Sequence, residues 1–263
     1  MILPIDDLKD WFYLLSMGMP RIVAMFTVFP MLNKRNLGGA MARNGIAMCL
    51  VLFMHPMLSE TRPDEALSIY DTAGIVIKEV FIGAIMGFCL AIPFWALEAA
   101  GFFIDNQRGA SMASTMNPFS GGETSPMGIL FSQALIALVM TSGLFLFILE
   151  SLMVTYKVWP IFSYFPQLNQ EATTFFLGQF DLIINLAMWL SAPVIICMFI
   201  TEFGIALISR AAPQLNVFIL AMPIKSAVAL AILTVYMATV LELSRKYLMG
   251  IPQLFDSLGV IWQ

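Results

Sequence analysis

The fold is decided by one long apolar run, residues 73–104, which reads AGIVIKEVFIGAIMGFCLAIPFWALEAAGFFI. Its 32 residues are mostly Ile, Phe, Ala, Gly and other apolar types, with only three charged side chains. A bilayer span needs about 20 apolar residues, and backbone N–H and C=O groups cannot stay unpaired in hydrocarbon. The run therefore predicts a helix that enters a membrane.

Five further apolar runs flank it, at residues 11–32, 45–58, 127–156, 178–209 and 215–241. Residues 45–58 are short for a full crossing, whereas three of the six runs have 30 to 32 residues. Two of these long runs contain a central proline, Pro93 or Pro193, so we expect kinked, tilted or hairpin helices. The predicted fold is an all-α polytopic membrane protein of about six to eight long hydrophobic helices and helical hairpins, forming a single membrane-associated domain over residues 1–263.

The composition excludes several classes of protein. The chain is 60% hydrophobic and 11% charged, with a mean hydropathy of +0.86, whereas soluble domains carry about 25% charged residues. A net charge of -4 gives no electrostatic case for binding nucleic acid. The N-terminus, MILPIDDLKDW, is acidic rather than basic, so we expect no cleavable signal peptide. The three cysteines lie within apolar runs, which predicts no redox or metal role.

Loop charges predict a partial topology. Residues 33–44 hold three basic side chains and no acid, which places this loop in the cytoplasm. The acidic N-terminus and residues 60–71 would then face outwards. The tail carries Arg245 and Lys246, which also favour the cytoplasm, but six simple crossings would put the tail outside. An extra crossing, or a run that folds back, would resolve the conflict.

Eight charged side chains lie inside the apolar runs, and each would cost roughly 2.5–3.5 kcal/mol at the bilayer centre. They are Arg21, Lys78, Glu79, Glu98, Glu150, Asp181, Glu202 and Lys225. Lys78 and Asp181 lie near run ends, so they either reach the interface by snorkelling or face protein. Three cations cannot neutralise five acids within the chain, so we hypothesise that some acids pair with basic groups on neighbouring subunits. A proton-relay transporter is the competing explanation.

Small and flexible residues add two candidate features. Gly83 and Gly87 form a GxxxG pattern that allows close helix packing, although such a pattern also arises by chance. Residues 105–126 read DNQRGASMASTMNPFSGGETSP, the one long polar interruption. Asp105 and Arg108 can pair if the preceding helix continues, and Gly109 then breaks it. In this segment Met112 and Met116 could close a pore with flexible thioethers, the alternative being a plain surface loop.

The sequence predicts no catalytic or cofactor site. His55 is the only histidine, and it has neither a second histidine nor a cysteine at metal-ligand spacing. The chain has no GxSxG motif and no phosphate-binding glycine loop. We therefore expect a protein that is not an enzyme and needs no cofactor.

Four stretches carry a resemblance to a known family. They are FWALEAAG (residues 94–101), IDNQRGAS (104–111), PMLNKRNLGGAMARN (30–44) and LISRAAPQLNVFILAMPIKS (207–226). Together they resemble the SctT/SpaR/FliR family of type III secretion export-gate proteins, and the DNQRG string resembles the injectisome branch more than the flagellar branch. The length and the order of the apolar runs match this family over essentially the whole chain.

The resemblance implies a function and partners. Family members assemble with SctR and SctS subunits into a closed helical ring, the entrance pore for unfolded secreted proteins at the bacterial inner membrane. SctU wraps this gate on its cytoplasmic side, and the inner rod of the needle is built on it. Such a subunit can be drawn largely out of the bilayer plane, with its helices packed as hairpins, which implies a multi-pass inner-membrane protein that partly faces the periplasm.

The resemblance also assigns candidate site residues. The pore plug would include Asp105, Arg108, Gly109, Met112, Met116 and Asn117. The candidate ionic contacts to neighbouring subunits are Arg21, Glu98, Glu150, Glu202, Arg210 and Lys225. The alternative function is a stand-alone secondary transporter or ion channel that uses the carboxylates within the membrane.

Overall fold

The structure, a computed structural model, describes residues 5–33, 36–59, 68–109, 125–163, 170–211, 214, 216–251 and 253–255. The regular structure of these residues is helical, which confirms the all-α prediction. The elements are α1 (Ile5–Val28), a 3₁₀ turn (Pro30–Leu32), α2 (Ala40–Ser59), α3 (Ile69–Arg108), α4 (Pro126–Thr141), α5 (Leu144–Val158), α6 (Gln170–Ala211) and α7 (Val217–Met249).

The helices fit a polytopic membrane protein, as predicted. Five of them, α1, α2, α3, α6 and α7, are long and apolar enough to cross a membrane. Helices α4 and α5 are long and apolar enough to cross a membrane only when they are taken together, and they are bent by 81° at the break between them. The apolar run at residues 45–58 is short for a full crossing, but the helix that contains it is longer, because α2 begins at Ala40 and has 20 residues. The helix includes Arg43, whose Nη1 donates to Thr27 Oγ1 at 3.2 Å.

Three helices are much longer than one bilayer crossing requires. Helices α3, α6 and α7 have 40, 42 and 33 residues, which at 1.5 Å per residue correspond to about 60, 63 and 50 Å. The hydrocarbon core of a bilayer is only about 30 Å thick. Pro93 and Pro193 lie within α3 and α6, which continue past them. The apolar run at residues 127–156, which contains no proline, is the one that is divided into two helices. The helix breaks at Ser142 and Gly143, where Gly143 has a φ of +76°.

The chain divides into two compact units, and the first comprises residues 1–91, 145–177 and 248–263. Its core combines side chains of α1, the first half of α3 and α5, including Phe26, Met86 and Leu152. Helix α2 packs on α1 at Gly18, where a Cβ would come within 2.9 Å of Val51.

The second unit comprises residues 92–144 and 178–247. Its core draws on the second half of α3 and on α4, α6 and α7. Two side-chain contacts define an antiparallel α6–α7 pair: Tyr247 Oη lies 3.2 Å from Gln179 Oε1, and Lys225 Nζ lies 3.0 Å from Glu202 Oε2. The single domain over residues 1–263 stays a prediction.

Candidate functional sites: ionic clusters and the base of a loop

A fully buried ion pair joins α1 to α3 in the first unit. The side chains of Arg21 and Glu79 have no exposed surface. Arg21 Nε donates to Glu79 Oε2 at 2.7 Å, and Nη2 donates to Oε1 at 2.8 Å. This bidentate contact satisfies both carboxylate oxygens, and its geometry fixes how α1 and α3 align.

The same arginine also binds the C-terminal end of α5. Arg21 Nη1 donates to the carbonyl oxygen of Thr155 at 2.9 Å, and Nη2 donates to that of Trp159 at 2.8 Å. Its guanidinium carbon lies 4.0 Å from the ring centroid of Tyr156. The last carbonyl groups of a helix lack partners within the helix and carry partial negative charge. Arg21 therefore caps α5 while it holds α3.

Lys78 completes this cluster. Its Nζ donates to the carbonyl oxygens of Pro160 at 2.9 Å, Ile161 at 2.5 Å and Ser163 at 3.2 Å. It also lies 3.2 Å from Glu79 Oε1. An ammonium group has three N–H donors, so the carbonyls that follow α5 can satisfy all of them. Of the two interpretations offered for Lys78, facing protein is correct and snorkelling is wrong, because its side chain is only 3% exposed.

Arg21 also departs from its prediction as a contact to a neighbouring subunit. Its charge is matched by Glu79, and its remaining donors are occupied by carbonyl oxygens of the same chain. Losing one partner of a buried pair leaves an uncompensated charge, which typically costs about 3–5 kcal/mol. The buried cluster thus holds α1, α3 and the end of α5 together.

The GxxxG glycines lie where α3 meets α1. A Cβ added to Gly83 would overlap the backbone carbonyl of Arg21. A Cβ added to Gly87 would come within 2.7 Å of the carbonyl oxygen of Met25. The small residues therefore allow the two backbones to approach closely next to the Arg21–Glu79 pair.

In the second unit, Asp105 connects the end of α3 to the start of α4. Its Oδ2 accepts hydrogen bonds from Ser125 Oγ at 2.6 Å and from the Met127 amide at 3.0 Å. Its Oδ1 forms an ion pair with Arg108 Nη2 at 2.7 Å. Ser125 is the N-cap of α4, and its Oγ accepts from the Gly128 amide at 2.9 Å. We call these contacts of Asp105, Arg108, Ser125 and Met127 the Asp105 clasp.

Glycines bring the same two helix ends together. Helix α3 ends before Gly109, whose φ of +83° is the left-handed conformation that commonly terminates helices. A Cβ on Gly101 would overlap the backbone of Gly128. The clasp therefore closes a junction that is already close at the backbone. The plug candidates Met112, Met116 and Asn117 lie outside the described residues.

The other predicted ionic candidates lie nearer the surface. Glu98, Glu150 and Arg210 are exposed. Lys225 is nearly buried, and it pairs with Glu202, whose side chain is 46% exposed. These side chains are charged groups on apolar helices. Within the described residues, only Lys225 and Glu202 form an ion pair with each other.

Among the residues that the structure describes, no three His, Cys, Asp or Glu side chains converge as metal ligands would. His55 is half-buried, with its ring centroid 5.9 Å from that of Trp11. The described ionic groups hold helix ends together or present charge on apolar surfaces.

Comparison with known proteins identifies the family. The model of the family called bacterial export proteins, family 1, matches residues 12–250. The chain belongs to this family. The export family's match includes the Arg21–Glu79 pair and the Asp105 clasp.

The chain is also similar in sequence to individual members of this export family. The chain is 46% identical to Yop proteins translocation protein T of Yersinia pestis over 218 residues, 83% of each chain. It is 34% identical to the secretion system apparatus protein SsaT of Salmonella typhimurium over 88% of this chain and 89% of the relative. It is 29% identical to the surface presentation of antigens protein SpaR of Shigella flexneri over 97% and 99%.

Flagellar members of the export family are more distant. The flagellar biosynthetic protein FliR of Bacillus subtilis is 27% identical over 86% of both chains. The predicted family is thus confirmed, and the injectisome branch is favoured.

Sequence reasoning missed two groups of site residues in this export-family protein. Ser125 could have been found, because a serine followed by proline ahead of an apolar run is typical of a helix start. The carbonyls at residues 155–163 gave no such signal, because a backbone oxygen looks the same in every sequence.

Proposed function

We propose that the chain is a structural subunit of the type III secretion export gate, in the injectisome branch. With other small membrane subunits it forms the entrance pore for unfolded secreted proteins across the bacterial inner membrane. The observation that carries this proposal is the 46% identity, over 83% of both chains, to a Yop translocation protein. It acts without a catalytic site or cofactor of its own.

Uncovered apolar surface on α6 and α7 supports a role in assembly. About 72% of the apolar window of α3 is buried inside the chain, compared with 28% for α6 and 22% for α7. Exposed side chains on α6 extend from Leu177 to Ile208, about 46 Å along the helix. An apolar surface that is longer than the roughly 30 Å of hydrocarbon needs covering by protein as well as by lipid. SctR-like and SctS-like subunits are the proposed cover.

Exposed charges on apolar helices supply specificity for such contacts. Glu98, Glu150 and Arg210 are exposed, and Glu202 keeps half of its side chain accessible beside Lys225. Basic groups on neighbouring subunits would meet these carboxylates, and an acidic group would meet Arg210. Further proposed partners are an SctU-like switch protein, inner-rod or needle subunits, secreted proteins in transit and the lipid bilayer. Nucleic acid is not a proposed partner.

The polar segment that begins at Asp105 is the proposed plug of the pore. Asp105, Arg108 and Gly109 form its described base. Met112, Met116 and Asn117, outside the described residues, are the proposed closing side chains because flexible thioethers fill irregular gaps. Periplasm-facing placement of part of the chain belongs to the same proposal.

The stand-alone transporter or ion channel is less well supported. A transport site needs intramembrane carboxylates that face a protein interior or a water-filled cavity. Glu98 and Glu150 are exposed instead, and Glu202 already has Lys225 as a partner. These positions suit contacts with other proteins better than a transport path within one chain.

Deletion of the gene tests the proposal. We expect loss of secretion of all type III substrates, restored by the wild-type gene in trans, because the gate has no pore without this subunit. Secretion through the general pathway in the same cells is the matched control. Normal release of type III substrates from the deletion strain would overturn the proposal.

A further inference from the structure

The start of α2 carries a buried positive charge that no described residue neutralises. Arg43 is only 7% exposed, and a guanidinium group has five N–H donors. Its acceptors are neutral and distant: Nη1 lies 3.2 Å from Thr27 Oγ1, and Nε and Nη2 lie 3.4 and 3.5 Å from Asn44 Oδ1. Arg21, by contrast, has both oxygens of Glu79 within 2.8 Å. A buried cation without a counter-charge is costly, so Arg43 needs an anion from outside the described chain.

The helix end beside Arg43 is itself positive. The first amide groups of a helix lack partners within it and carry partial positive charge. Helix α2 begins at Ala40 with no acid in its first turn, and the preceding residue, Gly39, has no side chain that could cap it. No atom of the described residues lies within 4 Å of a Cβ added to Gly38 or Gly39, so there is open space in front of these amides. Side chains of a helix lean towards its N-terminus, which brings Arg43 over the same turn.

The depth of this site in the membrane favours a lipid phosphate over a soluble anion. The apolar span of α1 ends at Val28, and that of α2 begins at Ala40. At 1.5 Å per residue, Thr27 and Arg43 therefore lie within about 5 Å of the ends of these spans, close to the level of the lipid headgroups. Phe53, about 15 Å further along α2, is 69% exposed and offers an apolar surface to acyl chains.

We propose that Arg43 and the free amides at the start of α2 bind the phosphate of an anionic phospholipid, whose acyl chains lie along the exposed apolar side of α2. Thr27 positions the arginine: its Oγ1 accepts from Arg43 and donates to the carbonyl oxygen of Val23 at 2.7 Å. The loop charges predict that this end faces the cytoplasm, where basic pockets between helices bind anionic headgroups. The proposal goes beyond the role in secretion, because it requires only that α1 and α2 lie in the membrane.

Photo-crosslinking of the assembled complex in vesicles tests the proposal. Vesicles of phosphatidylethanolamine carry a minor fraction of diazirine-bearing phosphatidylglycerol or, in a parallel set, of diazirine-bearing phosphatidylcholine. Mass spectrometry then measures how strongly each lipid labels the peptide that contains the start of α2. We expect about fivefold more labelling by phosphatidylglycerol, the size typical of one basic side chain near an anionic lipid surface. Equal labelling by the two lipids would overturn the proposal.

Three variants assign the lipid preference to this site. Arg43→Gln removes the charge, so it should bring the labelling by the two lipids to near equality. Ala42→Glu adds a carboxylate at an exposed position of the first turn, supplies the missing anion within the chain and should have the same effect. Lys157→Gln removes an exposed cation at the end of α5 and should leave the preference unchanged. If Arg43→Gln does not assemble, Ala42→Glu decides, and a wild-type preference in the deciding variant contradicts the proposal.

Competition distinguishes the possible sources of the anion. Excess inorganic phosphate should leave the labelling unchanged, because a soluble anion gains nothing from the apolar surface of α2. If inorganic phosphate abolishes the labelling, the site takes a soluble phosphate and the lipid assignment is wrong. If both lipids label equally while Arg43→Gln lowers recovery of the complex, a carboxylate of another subunit is the counter-charge and the lipid assignment is again wrong.

Discussion

At the residue scale, charged side chains within apolar helices have two different environments. Arg21, Lys78 and Glu79 are buried together and bind the carbonyls at the end of α5. Glu98 and Glu150 are exposed on otherwise apolar helices. The same residue types thus hold the fold together at one place and lie exposed on the surface at another.

Replacing Glu79, one member of the buried Arg21–Glu79 pair, should lower stability more than replacing both members together. We expect Glu79→Leu alone to destabilise the assembled protein by about 3–5 kcal/mol, because it leaves Arg21 and Lys78 buried without a counter-charge. Arg21→Met alone should cost less, because Lys78 still pairs with Glu79. The double variant should be less damaging than the sum of the two. Thermal unfolding of the purified complex measures this, with exposed Glu150→Gln as the control. Strictly additive effects would show that the two side chains do not act as a pair.

The Glu202–Lys225 pair should tolerate exchange of its charges. Glu202→Lys and Lys225→Glu each place like charges together, whereas the double variant restores attraction. We expect a coupling energy of about 1 kcal/mol, limited by the exposure of Glu202. The amount of chain recovered in the assembled complex is compared among the wild type, the two single variants and the double variant.

The matched control is the exchange of Glu242 and Arg245, an exposed pair on one helix that should show almost no coupling. Equal coupling for both pairs would contradict the α6–α7 register described here.

The sequence locates these charges but not their partners. An ionic residue in an apolar run is visible from composition alone, so all eight positions were found. Arg21 and Glu79 are 58 residues apart, and Arg21 and Trp159 are 138 apart. Pairing over such separations depends on how the helices pack, which no local pattern encodes.

At the element scale, the boundaries of helices were predicted well where apolar runs end and poorly where polar residues continue a helix. Helix α2 starts five residues before its apolar run because Arg43 is accommodated against Thr27. The break between α4 and α5 lies at Gly143, whereas α3 and α6 continue past Pro93 and Pro193. A proline is a strong signal in sequence, but packing decides whether the helix ends there.

Packing of α3 on α1 gives a prediction with an internal control. Gly83→Ala should destabilise the assembled protein, because a Cβ would overlap the backbone of Arg21, and backbone cannot move aside as a flexible side chain can. Gly74→Ala lies on the same helix with nothing within 4 Å of the added Cβ, and should be neutral or stabilising because alanine favours helix. Thermal unfolding compares the two. Equal stability of both variants would show that α1 and α3 are not in close backbone contact.

At the scale of the whole molecule, the distribution of apolar surface is uneven. Helix α3 is largely enclosed by its own chain, whereas α6 and α7 leave most of their apolar surface uncovered. The sequence predicted the helices and the family, but an apolar residue reads the same whether it faces its own core, lipid or another subunit. Only the packed structure separates these environments.

Purification of the tagged chain in mild detergent tests the central claim most directly. The uncovered faces of α6 and α7 and their exposed charges predict that the chain is recovered in a stable complex with other small membrane proteins of the secretion apparatus, identified by mass spectrometry. Charge reversal at Glu98, which is exposed, should reduce this recovery more than Asn106→Ala. Recovery of the chain as a stable monomer or homo-oligomer, with no other secretion subunit bound, would contradict the account.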